Sequence, residues 1–168
     1  MKLTTVKHTL VMFLVNNIFA GAYLFEVKRR LLNSIGYSLG DGTKVVGPVF
    51  CTGKLKTGSN CWLGRNFTIH RNGSVEIGDN CDIAPDVTFL TGEDGDVQEQ
   101  TAVESQNCSI SVGEGTWIGA GTTLGRNITI GKGSMITAGA CVMRNVPENA
   151  LAGGVPARVI KKLNEIYE

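Results

Sequence analysis

In this chain of 168 residues the side chains best placed to act together in acid–base chemistry are the imidazole of His70 and a run of acids about twenty residues downstream. Only two imidazoles are present, His8 and His70, and an imidazole is the side chain that takes up and releases a proton near neutral pH. His70 begins the run His70-Arg71-Asn72-Gly73, and the acidic run Thr91-Gly92-Glu93-Asp94-Gly95-Asp96 follows downstream. Glu93, Asp94 and Asp96 could orient the imidazole or bind hydroxyl groups, and Asp94 or Glu93, if burial raised its carboxyl, could act as the base itself. Two readings of His70 stay open on residue type alone, a general base or a structural turn residue. His8 lies in a different kind of sequence and reads as structural or irrelevant. The five Cys show no CxxC pair and no metal-ligand spacing, which favours packing over chemistry, with Cys108 the one expected to be exposed.

The elements that must position these residues are set by a strict period of six. Val112, Ile118, Leu124, Ile130, Ile136 and Val142 recur without a slip; Leu39, Val45, Cys51, Thr57, Leu63 and Ile69 keep the same spacing upstream. After a two-residue slip Ile77, Ile83 and Phe89 rejoin it. A period of six fits neither a helix nor a two-faced strand and predicts a parallel β-helix, an all-β solenoid whose coils each use three hexads, about eighteen residues. Cys61 and Cys81 fall where a small side chain should point inward. Two insertions interrupt the repeat, one at 70–74 and a longer one at 91–109, and insertions in solenoids become surface loops.

Used as a ruler, the period writes out three edges of a prism. One carries Asp79-Asn80, Glu114-Gly115 and Lys132-Gly133; the next carries Pro85-Asp86, Ala120-Gly121 and Ala138-Gly139. The third carries Arg126-Asn127 and Arg144-Asn145, and tracing the phase back places both insertions there too. His70 and the acidic loop therefore share an edge. The Ala-Gly edge offers bare backbone to a thin ligand, while Gly and Asn are also ordinary corner residues that tolerate positive φ.

Composition agrees with one domain. The 22 Gly suit a fold with frequent corners, and a net charge of +1 gives no field to recruit nucleic acid. The free-thiol pattern suggests a reducing compartment, the cytoplasm. Residues 1–36 lack hexads and contain an uncharged run, Thr9 to Phe25. An amphipathic helix with Leu10, Leu14, Ile18, Phe25, Leu31, Leu32 and Ile35 inward and Lys28, Arg29 and Arg30 wet would cap the first coil. A second reading lays residues 9–25 on a membrane surface. Residues 37–155 form the solenoid, and Pro156 with Val159, Ile160, Leu163 and Ile166 predicts a short C-terminal helix over 156–168.

The hexads, then Val146-Pro147-Glu148-Asn149 and Ala152-Gly153-Gly154-Val155-Pro156-Ala157-Arg158-Val159-Ile160, resemble the hexapeptide-repeat acyltransferases across about residues 35 to 162. The resemblance implies a left-handed parallel β-helix, a homotrimer, and acetyl-CoA in grooves between subunits, with no metal. It implies an O-acetyltransferase acting on a sugar, polysaccharide or serine-like hydroxyl. In that setting His70 would be the general base, and Asn72, Glu93 and Asp94 would contact the acceptor. Trp117, Gly119, Ala120, Ala138, Gly139, Arg144 and Arg158 would hold the cofactor, the pantetheine on the Ala-Gly edge and the phosphates on arginine. A backbone N–H near Gly119 would stabilise the oxyanion. The sugar acetyltransferases that this chain most resembles read Thr-Gly-Ser-His-Glu where it reads Thr91-Gly92-Glu93-Asp94-Gly95. That departure keeps an N-acetyltransferase and a catalytically silent relative as alternatives. The zinc-dependent enzymes of the same fold need three His, and this chain has two.

Overall fold

A computed structural model describes residues 3–92 and 108–163. It is a left-handed parallel β-helix of short strands on three faces. Face A stacks β1 (Ser38–Leu39), β4 (Lys54–Thr57), β7 (Ser74–Ile77), β10 (Ser109–Val112) and β13 (Ile128–Ile130). Face B stacks β2 (Lys44–Val45), β5 (Trp62–Leu63), β8 (Asp82–Ile83), β11 (Trp117–Ile118), β14 (Met135–Ile136), β16 (Ala150–Gly154) and β17 (Ala157–Lys162). Face C stacks β3 (Val49–Cys51), β6 (Phe67–His70), β9 (Thr88–Leu90), β12 (Thr123–Leu124) and β15 (Cys141–Val142).

The register follows the ruler. Regular coils pair residues eighteen apart, as in Trp117 with Met135, whereas Trp62 pairs with Asp82 and Trp117 with Asp82, absorbing the two insertions. Both insertions leave from the edge between faces C and A. The aliphatic residue of each hexad points inward, with Leu63, Ile69, Ile83, Phe89, Ile118, Leu124 and Ile136 almost wholly buried and Phe67 and Phe89 packed ring to ring at 5.1 Å.

A second inward column explains the buried cysteines. At the A–B corner Thr43, Cys61, Cys81, Thr116 and Ser134 lie one per coil, and each donates to a carbonyl of the next coil: Gly58, Gly78, Gly113, Gly131 and Pro147. Tight corners strand carbonyls inside the solenoid, and a short donor on every rung satisfies them. Cys61 and Cys81 are rungs of this ladder.

The N-terminal segment caps the first coil, though not with the stripe the sequence predicts. It comprises α1 (Leu3–Phe13), a π-helical turn (Leu14–Ile18) and α2 (Phe25–Asn33). Val11, Val15 and Leu32 are the buried apolar residues, whereas Leu10 and Ile18 stay about half exposed, so the inward stripe runs one residue out of phase with the expected one. Asn16, on that turn, donates to Val49 O at 2.8 Å and accepts from Val49 N at 2.9 Å. Asn33 exchanges the same pair of bonds with Leu39. Two amides thus imitate the missing lower strand on faces C and A.

Two further expectations fail. Lys28 is not wet but wholly buried, its Nζ donating to Gly21 O at 2.5 Å and lying 5.9 Å and 5.0 Å from the Tyr23 and Phe25 rings. Burial lowers its pKa. Arg29 is also largely covered, pairing with Glu26 and with Asp41 of the first coil. At the other end the expected C-terminal helix is absent over 157–162: β17 runs antiparallel to β16, pairing Gly153 with Arg158 and Ala152 with Val159. The open edge of face B needs a strand to cover it, and Val159 and Ile160 suit an extended chain as well as a helix. Residues 164–168, the remainder of that expected helix, lie outside the described residues.

Candidate active site

The predicted site residues fall into two groups on different edges of the prism. His70 ends β6 at the C–A edge with its side chain exposed. Its turn is braced from both sides, since His70 O accepts from Thr91 N at 3.1 Å and from Thr91 Oγ1 at 2.7 Å, and Gly73 N donates to Thr91 Oγ1. Thr52 Oγ1, one coil below, reaches Ile69 O and Arg71 O. Arg71 holds the turn at φ 73°, the left-handed region that Asn, Asp and Gly fill at the other corners. Arg144 is exposed on this same edge, three coils higher. Glu93 and Asp94 lie outside the described residues.

The B–C edge holds the second group. Ala120 and Gly121 stack under Ala138 and Gly139, with Gly139 N donating to Ala120 O at 2.8 Å. Gly121 and Gly139 adopt φ 68° and 69°, so the backbone itself requires glycine there. A Cβ on either would meet nothing within 4 Å, which makes this edge open as well as thin. Among the described residues the N–H groups of Ala120 and Ala138 have no backbone acceptor. They can serve an amide or an oxyanion.

Gly119 cannot. Its N–H already donates to Ile136 O at 2.9 Å, and a Cβ there would sit 2.5 Å from Ala138 N, so its role is to let two coils approach. The oxyanion donor expected near Gly119 is therefore not Gly119 itself. Arg158, on β17, is exposed at the top of the solenoid beside Gly153, which packs over Thr137 at the head of this edge. Trp117 projects outward from face B, three residues before Ala120.

Sequence reasoning set His8 aside, but α1 folds back and brings it to the C–A edge. There it lines a cleft of about 340 Å³ with Tyr37, Thr52, Lys54 and Asn72. Asn72 borders this cleft on the same turn as His70, away from the Ala-Gly edge of its own chain. The signal for this lay in the amphipathic cap, which had to place some face of α1 against the first coil. Burial pushes the thiol of Cys51, also at the cleft, up to about 12, which disfavours the thiolate. Among the described residues no three His, Cys, Asp or Glu side chains group as a metal site.

Neighbouring edges are one hexad apart, on the order of 15–20 Å of extended chain. A base must come within about 3 Å of the proton it takes. Within one chain His70 therefore cannot serve a group bound along the B–C edge.

The sequence profile of the bacterial transferase hexapeptide family (six repeats) matches residues 109–144, two coils of the upper solenoid. The galactoside O-acetyltransferase of Escherichia coli K12 is 36% identical over 149 residues, spanning 83% of this chain and 71% of that one. A solved structure of a galactoside acetyltransferase in complex with coenzyme A superposes with a TM-score of 0.78 at 25% identity, over 96% of this chain and 82% of that one. A hexapeptide-repeat acetyltransferase from Vibrio cholerae shares the fold with a TM-score of 0.79 at 24% identity, over 97% and 94% of the two chains. With its six-residue period, three parallel faces and bare corner edge, the chain belongs to the hexapeptide-repeat acetyltransferases, the family of the galactoside O-acetyltransferases.

Proposed function

We propose that the protein is an acetyl-CoA-dependent O-acetyltransferase that works on a sugar hydroxyl at a site formed between two chains of a homotrimer. The observation that carries this reading is the separation of His70 from the open Ala-Gly edge. A heterologous contact that sets the C–A edge of one chain beside the B–C edge of the next unites them, and three such contacts close a ring.

In that groove the pantetheine arm lies along Ala120 and Ala138, with an amide carbonyl on the unspent Ala138 N–H, and the CoA phosphates meet Arg158 at the upper end and the neighbour's Arg144. His70 takes the proton from the acceptor hydroxyl as its oxygen attacks the thioester carbon. The Ala120 N–H holds the developing oxyanion, the tetrahedral intermediate collapses, the C–S bond breaks, and the thiolate leaves as CoA after taking a proton. Asn72 and the acids Glu93 and Asp94 complete the acceptor side.

The five thiols are all unpaired, consistent with a reducing cytoplasm where acetyl-CoA is available. No helix among the described residues is long and apolar enough to cross a membrane. The outward face of Leu10, Phe13 and Ile18 is the surface on which residues 9–25 would touch a bilayer, and vesicle flotation checks that contact.

Release of free CoA thiol from acetyl-CoA, measured with a panel of methyl pyranosides, tests the reading. Turnover by the wild-type protein that falls at least a hundredfold in His70→Ala supports it. Unchanged turnover in the variant removes His70 as the base. Tight CoA binding with no turnover across the panel favours the silent relative, and turnover only with amino sugars favours N-acetylation.

A further inference from the structure

On the outer surface of face B, one residue per coil projects in a column at successive rungs: Lys44, Trp62, Asp82, Trp117, Met135 and Leu151. Trp62 and Trp117 are the chain's only tryptophans, and Asp82 stands in direct register with both. In-register strands lie about 4.8 Å apart, so the two indoles leave the backbone about 9.6 Å from one another with a single carboxylate between them. Phe25 of α2 packs against Trp62 at 5.8 Å and walls off the lower end, while Trp117 is 42% exposed and Asp82 is open to solvent. Burial by these surroundings still raises the Asp82 carboxyl above the ordinary aspartate value.

An ionised carboxylate only accepts hydrogen bonds, so its ligand must bring donors. Flanking indoles offer flat apolar surface with a polar tip. A ring with one apolar face and several hydroxyls satisfies both demands at once. The two rungs between the points where the indoles leave the backbone span about the width of one such ring. Trp117 is also three residues from Ala120, so a molecule seated here lies one corner away from the bare edge.

We propose that Asp82, between Trp62 and Trp117, determines acceptor specificity by taking hydrogen bonds from adjacent hydroxyls of a neutral pyranose whose ring lies against the indoles. This deepens the acetyltransferase reading and rests on it for the reaction, but not for the binding.

Two measurements keep the two apart. Because both tryptophans belong to the platform, the intrinsic tryptophan fluorescence of the full-length protein reports on it directly. Titration with methyl pyranosides should shift or quench the emission of the wild-type protein, and Asp82→Leu and Asp82→Asn should each weaken that binding about tenfold or more. In steady-state assays both variants should raise KM for the pyranoside by a similar factor, with kcat falling less and KM for acetyl-CoA unmoved. A deoxy pyranoside lacking one contacted hydroxyl should bind the wild-type protein more weakly and lose little further in Asp82→Leu. A fluorescence response without turnover leaves the platform standing and overturns the enzymatic reading. Turnover with an unchanged pyranoside KM in both Asp82 variants overturns the platform, as does the absence of any fluorescence response. A response to amino sugars alone overturns the neutral-pyranose assignment.

Discussion

The B–C and C–A edges are made by the same repeat and have diverged in opposite directions. At the B–C edge Ala120-Gly121 and Ala138-Gly139 strip the corner to backbone, with open space beyond the two glycines. At the C–A edge both insertions leave the solenoid, and His70, Arg71, Asn72, Arg126 and Arg144 crowd the corner. Chemistry needs protruding groups, whereas a long thin cosubstrate needs their absence. A solenoid can supply both by treating its edges differently, yet it cannot bring two edges of one chain together. That division of labour is what the proposed second chain would answer.

The largest effect should come from the crowded edge. His70→Ala is expected to lower kcat by about 10² to 10⁴ while KM for acetyl-CoA stays within about threefold, as initial rates would show. A loss confined to acetyl-CoA affinity would place His70 on the wrong side of the comparison. Next comes the bare edge: Ala138→Trp should raise KM for acetyl-CoA at least tenfold by filling the open corner. Because Ala138 is exposed, its melting temperature should barely move.

The A–B corner supplies a contrast, since its side chains point inward and serve only the fold. Ser134 Oγ donates to Pro147 O at 2.7 Å and accepts from Ala150 N at 3.2 Å, so Ser134→Ala should cost about 1–3 kcal/mol in denaturant unfolding and spare kcat in the folded fraction. The smallest effect belongs to Lys28, remote from both functional edges. Burial lowers its folded pKa, so between that value and the higher unfolded one the unfolded chain binds more protons. Wild-type stability should therefore rise with pH through that alkaline interval relative to Lys28→Met, measured as the difference between their denaturation midpoints.

Period six made the faces, the inward residues and the placement of both insertions legible, because each follows from backbone geometry that repeats every coil. The left-handed corners were equally readable, as Gly121, Gly139 and Asn127 adopt positive φ. What escaped lies at the two ends, where the repeat stops and tertiary demand decides. Lys28-Arg29-Arg30 looked wet until Gly21 O, two rings and Asp41 claimed the first two. Val159 and Ile160 fit a helical spacing, but the uncovered edge of face B made them strand. His8 was passed over for a related reason: a residue outside the repeat has no position on the ruler, and only the packing of α1 gives it one. The spent N–H of Gly119 is a matter of hydrogen-bond partners, which spacing does not reveal.

The claim that one site is assembled from two chains can be tested by mixing two defective proteins. His70→Ala lacks the base and Ala138→Trp lacks the open edge, and each should be nearly inactive alone at low acetyl-CoA. Coexpressed, in the proposed trimer they would leave about one groove in four joining an intact His70 to an intact Ala-Gly edge, so activity should recover to about a quarter of wild type. Activity no higher than the sum of the two variants would mean that His70 and the Ala-Gly edge do not meet across chains.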